Sequence, residues 1–239
     1  MDCSMNSQQK YFCEIFVFLH QRFCEIFGWD IMTAEHFHVY NDPQADCPML
    51  VTNSTPIRIR MVLKSFDYWA QMIYQLSHEM CHYAIRQHKS DKEYTLRWFE
   101  EIICEAASLY FLEYSAKNWN KCRLSLNDPK YGSLIENYLY DTLNKSCTDG
   151  FQKCDTVEKL KAYNAKAEND RESHRAERNI VYREKVKNPK SLNVVTEYEK
   201  YVNKDRVTID FDRWIKDHDC EILRLFEKIM PKISDMNEA

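Results

Sequence analysis

Three glycines in 239 residues set the first limit on what this chain can become. Tight hairpins draw on glycine for backbone conformations closed to other residues. Gly28, Gly132 and Gly150 leave few such corners, and a mainly helical protein follows. An apolar content of 44% supplies a globular core. At this length one domain is expected over residues 1–239, with an N-terminal lobe to residue 90 and a helical lobe over 91–239. The same shortage leaves no Gly-rich loop to cradle phosphates, so nucleotide chemistry has no support. A net charge of −4 gives no general pull toward nucleic acid or an anionic membrane.

Apolar periodicity fills in the elements. Phe12, Ile15, Phe16, Leu19, Phe23 and Phe27 give one face to a helix over residues 7–27, which Gly28 ends. Residues 36–40 alternate as a short strand. His36 and His38 share one side of it, as extra metal ligands or, more commonly for such a pair, as an exposed face. Residues 57–63 form the clearest strand, with Ile57, Ile59, Met61 and Leu63 on one face and Arg58, Arg60 and Val62 on the other. A helix with Ser65 as its N-cap follows, carrying Trp69, Met72, Ile73, Leu76 and Met80 at helical spacing. Further helices are expected over residues 95–114, after the loop at Asp128, as one long charged helix over 156–187, and over 212–230 before Pro231. The fold class is therefore α+β, predominantly helical, with a small N-terminal sheet.

The chemistry concentrates in His78-Glu79-Met80-Cys81-His82. On a helix the two histidines are four residues apart on one face, so their imidazoles can share one tetrahedral zinc. Glu79, one step round, reaches a water on that ion and suits a general base. A third ligand is then needed. Glu101 and Glu105 share a face of the next helical pattern, among Phe99, Ile102, Ile103, Ala106 and Ala107. Two inward carboxylates in such company require a compensating cation. One Zn2+ per chain answers this, with Glu101 as ligand and Glu105 accepting the outer N–H of a liganding histidine.

These residues resemble the gluzincin metallopeptidases, in which H-E-x-x-H is followed on the next major helix by a liganding glutamate. Eighteen residues separate His82 from Glu101, as in aminopeptidase-type gluzincins. Trp98-Phe99-Glu100-Glu101 is similar to the Trp-Leu-Asn-Glu around their third ligand, and Glu105 to the acidic residue four positions beyond the ligand in thermolysin. The resemblance covers residues 55–115. It implies a zincin-like fold, with the zinc helix, then a glutamate helix, then a helical C-terminal part, and a zinc-dependent hydrolase acting on peptides or proteins. The Gly-x-Met-Glu-Asn signature that grips a substrate's amino terminus is missing, so aminopeptidase specificity is not implied. The strand before the zinc helix would offer its edge to an extended peptide, and Arg58 or Arg60 could meet a substrate carboxylate. Gluzincins also supply a Tyr or His that steadies the tetrahedral intermediate. Tyr131, Tyr138, Tyr163, His174 and Tyr182 are candidates, with Tyr163 and His174 in helical context.

Two other readings stay open. Leu76-Ser-His-Glu-Met-Cys-His82 is also similar to the zinc helix of SprT-like DNA-associated proteases, although His88 is the nearest downstream histidine and no zinc ribbon follows. A catalytically silent zinc-binding interaction module is the other. Ten cysteines form no C-x-x-C, which removes ribbons and thioredoxin-like centres. Cys147 and Cys154 would pair only in an exported protein. The first ten residues have little positive charge, and Glu14, His20, Arg22 and Glu25 interrupt the apolar stretch that follows, so a soluble cytoplasmic protein without membrane or nucleic-acid partners is expected.

Overall fold

The computed structural model describes residues 7–233. Along the chain come helices α1 (Ser7–Phe27) and α2 (Trp29–Met32), strands β1 (Phe37–Asn41), β2 (Met49–Val51) and β3 (Ile57–Met61), then helices α3 (Trp69–His88), α4 (Arg97–Lys117) and α5 (Tyr131–Leu143). Helices α6 (Val157–Lys166), α7 (Arg175–Lys187), α8 (Leu192–Val195), α9 (Phe211–Asp217) and α10 (Glu221–Ile229) complete it, with short 3-10 turns between. The α+β, mostly helical class is as expected. No described helix is long and apolar enough to cross a membrane.

The chain forms two compact units, neither of them a continuous stretch. One takes the chain up to Ala84 together with Ala107–Asn144; the other takes Ile85–Ala106 and the chain from Lys145 onward. Helices α3 and α4 therefore each contribute residues to both. In the first unit, α1 buries Ile15, Leu19, Phe23 and Phe27, and Phe23 stacks flat on Phe111 of α4 at 4.0 Å between ring centroids. Gly28 stops α1 with φ of 101°, a left-handed conformation that costs other residues dearly. In the second unit, Phe99 is the hub, ringed by Tyr198, Trp214 and Phe226.

The sheet has the order β1-β3-β2. β1 runs parallel to β3 with Phe37 opposite Ile57, and β2 runs antiparallel with Met49 opposite Arg60. Ile57, Ile59 and Met61 are buried and Arg58 is exposed, as the alternation predicts. The expected free edge on β3 is not there. Both its edges are paired, because the loop before it returns as β2, and any added strand must use an outer edge of β1 or β2. Arg58 bonds to Ser54 Oγ and lies over Tyr40, while Arg60 donates to Cys47 O.

Three helix boundaries differ from expectation. Ser65 accepts from the Asp67 N–H in a tight turn, and α3 starts only at Trp69. The long helix over 156–187 is two helices, because the chain turns at Asp170 and sends Ser173 Oγ back to the Asp170 carbonyl. The turn drives His174 fully inside, which a straight, highly charged helix could not do. The last helix likewise breaks between Asp217 and Glu221. On a straight helix Trp214 and Phe226 would stand about 18 Å apart, yet both rings lie within 6.0 Å of Phe99.

Candidate metal centre

Two side chains fix α3 on either side of its histidines. Gln75 pairs with the Val62 backbone just past β3, accepting its N–H at 2.9 Å and donating to its carbonyl at 2.8 Å. Tyr83 does the same ahead of β1, donating to Glu35 O at 2.9 Å and accepting from Glu35 N–H at 3.0 Å. Each satisfies two polar backbone groups at a strand end, so the helix has little freedom to slide or rotate between them. His78 and His82 lie within that span.

Their Nε2 atoms are 3.2 Å apart. Two nitrogens so spaced, each about 2.0–2.1 Å from a shared ion, subtend roughly 99–106° there, close to a tetrahedral angle. His78 is 4% exposed and His82 half-buried. A Glu101 carboxylate oxygen joins them, and the three ligand atoms all lie within 4.8 Å of one another. Two nitrogens and a carboxylate oxygen are a donor set that suits zinc. No fourth His, Cys, Asp or Glu belongs to this group among the described residues. Glu79, 3% exposed, is outside it. His36 and His38 are outside it too, both exposed, with His38 stacked near Tyr40. So is His88, the histidine that an SprT-like arrangement would need; it is the last residue of α3.

The burial of Glu101 follows from that of its helix. From Trp98 to Leu112 every residue of α4 is buried, so the helix is enclosed all round rather than along one stripe. A carboxylate anywhere in that span needs compensation. Glu100 has the Lys89 ammonium at 2.5 Å, both side chains 3% exposed, and accepts the Tyr198 hydroxyl as well. That carboxylate, after burial, helps hold the Tyr198 phenol far above its usual pKa. Glu105 accepts from Arg178 at 2.9 Å and faces Arg171 at 3.3 Å. Glu101, between these two cation-paired glutamates, is the one directed to the imidazoles. Composition along α4 did not reveal Glu100 as a buried ion, nor the two arginines as the partners of Glu105. Their positions 66 and 73 residues away carry no local signal.

The chain matches no protein-family model, no curated protein and no solved structure.

Among the downstream candidates, Tyr163 and His174 meet. Tyr163 Oη is 2.7 Å from His174 Nδ1 and 2.8 Å from Ser173 Oγ, which in turn donates to Asp170 O at 2.9 Å. The hydroxyl of Tyr163 is thus spent inside the protein, and it orients His174 rather than reaching a ligand. His174 Nε2 has no hydrogen-bond partner among the described residues. Burial keeps this imidazole below its ordinary pKa, against the pull of Glu105 and Glu101. Tyr131 and Tyr138 stand elsewhere: the Tyr131 hydroxyl reaches Asp67 O, and the Tyr138 ring lies against Tyr74. Cys147 and Cys154 are separate free thiols, one exposed and one buried.

Proposed function

We propose that this protein is a zinc-dependent peptidase of gluzincin type, with His78, His82 and Glu101 as ligands and Glu79 as the general base. The carrying observation is the convergence of two imidazole nitrogens and one buried carboxylate oxygen within 4.8 Å. It comes with a third-ligand spacing that random H-E-x-x-H matches need not have. The order of elements supports the reading: a small sheet, then the histidine helix, then a glutamate helix. A zincin-like fold is part of the proposal.

Divalent zinc held there supplies Lewis acidity toward a water and a peptide carbonyl. The chain's own groups do the rest. Glu79 follows a ligand on the same helix and would serve as the general base, taking a proton from the attacking water and returning it to the departing amine. With zinc bound, three protein ligands would leave a position for water and substrate, whereas a purely structural site would be expected to fill it. An extended peptide would find its backbone partner along an outer edge of β1 or β2. His174, held by Tyr163, and Tyr182 are the downstream candidates that remain for contact with bound substrate.

Without an ion, 3.2 Å between two Nε2 atoms also suits a single imidazole–imidazole hydrogen bond. Metal analysis separates the two. Purified protein should carry one zinc per chain, Glu101→Ala should lose it, and Glu79→Gln should keep it while cleaving no peptide in a mixed library. Metal-free protein after zinc loading, or undiminished cleavage by the Glu79 variant, would end the proposal.

A further inference from the structure

Helices α3 and α4 carry the converging donors, and residues 89–96 join them. Eight residues can span about 26–29 Å when extended, so the length of this connector does not by itself set where α4 begins. In the second unit one dipeptide holds both of its ends. Tyr198 grips the α4 end: its buried hydroxyl accepts the Leu96 N–H at 3.1 Å and donates to the carboxylate of Glu100, the residue before Glu101. Glu199 grips the α3 end. One of its carboxylate oxygens takes the Ser90 N–H at 2.7 Å and the Ser90 hydroxyl at 3.0 Å, and the other takes the Asp91 N–H at 2.9 Å. Between the two grips Lys89 folds back, donating to the Tyr94 carbonyl at 2.8 Å and meeting Glu100 at 2.5 Å.

The turn that follows adds a second hold. Val202 pairs with Ile209, and Arg206 between them has φ of 61°, a left-handed conformation uncommon outside glycine. Its carbonyl accepts the Tyr94 hydroxyl at 2.8 Å, and its guanidinium lies 4.4 Å from the centre of the Tyr94 ring. The neighbouring Val207 carbonyl accepts the indole N–H of Trp98, in the first turn of α4, at 2.8 Å. Apolar burial holds a helix without direction, whereas a metal ligand must keep its place to about 0.5 Å. Directed hydrogen bonds to a charged acceptor supply that definition.

We infer that Glu199 is a positioning residue for the metal centre, fixing the connector so that the Glu101 carboxylate stays aligned with His78 and His82. This role depends on the metal group proposed above; the hydrogen bonds to Ser90 and Asp91 do not. Glu199 is not one of the converging donors and acts through the placing of α4.

Cobalt(II) is the probe, because its visible absorption reports the number and kind of its ligands. Wild type, Glu199→Gln and Glu199→Ala are each loaded with cobalt, titrated with a competing chelator, and checked for folding by circular dichroism. Glu199→Ala removes all three bonds to the connector and should weaken the metal about tenfold, the low end of what loss of an outer partner costs. At saturating cobalt its spectrum should shift as the Glu101 carboxylate leaves the ion. Glu199→Gln turns an amide N–H toward a backbone N–H, so it should lose about threefold with a smaller shift in the same direction. Should Glu199→Ala fail to fold, the Gln variant decides in its place. Wild-type affinity in the folded variants would overturn the positioning role. Weaker binding with an unchanged spectrum would overturn it too, since general loosening lowers affinity without displacing one ligand. No cobalt spectrum in wild type would remove the metal centre and this role together, which separates that failure from the other two.

Discussion

Replacing Glu101 by Gln keeps the size and shape of the side chain and removes the charge that an ion would meet. Wild-type protein in zinc at about 100 times the dissociation constant should be stabilised by about 2.7 kcal/mol. For a chain of this size that is a rise in Tm of roughly 5–11 °C. Glu101 is one of three donors converging within 4.8 Å, so its loss should weaken binding by at least the 10–100-fold that loss of an outer-sphere partner costs. A hundredfold loss brings the same zinc concentration down to the dissociation constant, where stabilisation is only about 0.4 kcal/mol, or roughly 1–2 °C. Differential scanning fluorimetry of wild type, Glu101→Gln and Glu79→Gln, each with EDTA and with zinc, reads this directly. The Glu79 variant should keep the full shift because its carboxylate stands outside the converging set. A full shift in Glu101→Gln would remove that carboxylate from the ligand set. A shift lost in Glu79→Gln would make that residue a ligand and leave the mechanism without a base.

Three more outcomes follow from neighbouring contacts. Arg178→Met should cost about 3–5 kcal/mol in urea unfolding, because it leaves buried Glu105 facing Arg171, whose side chain is a third exposed, whereas Arg178→Met with Glu105→Leu should recover most of it; a loss under 1 kcal/mol for the single variant would show the pair to be idle. Gln75→Leu strands both polar groups of Val62 and should cost about 1–3 kcal/mol, and it should also weaken zinc binding if that clamp holds the histidines in place; zinc affinity equal to wild type would refute the second part. His174 has its pKa lowered in the folded protein by burial, so the unfolded chain takes up its proton first as pH falls. The stability it contributes is complete above its ordinary value of 6.5 and is lost as pH drops from there toward the depressed folded value. His174→Gln should flatten that acid slope in zinc-free protein, and an identical slope would place its origin elsewhere.

Much of this protein is local, and the sequence carries local things well. The stretch over 7–27 is helical because its apolar residues recur at helical spacing, and Gly28 ends it with a backbone angle that glycine adopts freely. The alternation over 57–61 separates buried from exposed side chains, and four-residue spacing alone puts His78 and His82 on one face. Scarce glycine foretold a mainly helical chain. Tertiary structure decided whatever depends on residues distant in sequence. It paired both edges of β3, since strand order is set by where a loop returns. It broke two expected helices so that His174, Trp214 and Phe226 could be buried together with partners that a straight rod would keep apart. It enclosed α4 on every side, which turns three glutamates from surface candidates into ions that each need a partner. Arginines more than sixty residues downstream then claimed Glu105, a lysine claimed Glu100, and the histidine pair was left to Glu101. Periodicity sets which way a side chain faces on its own element; which charge it meets there is fixed only when the chain closes on itself.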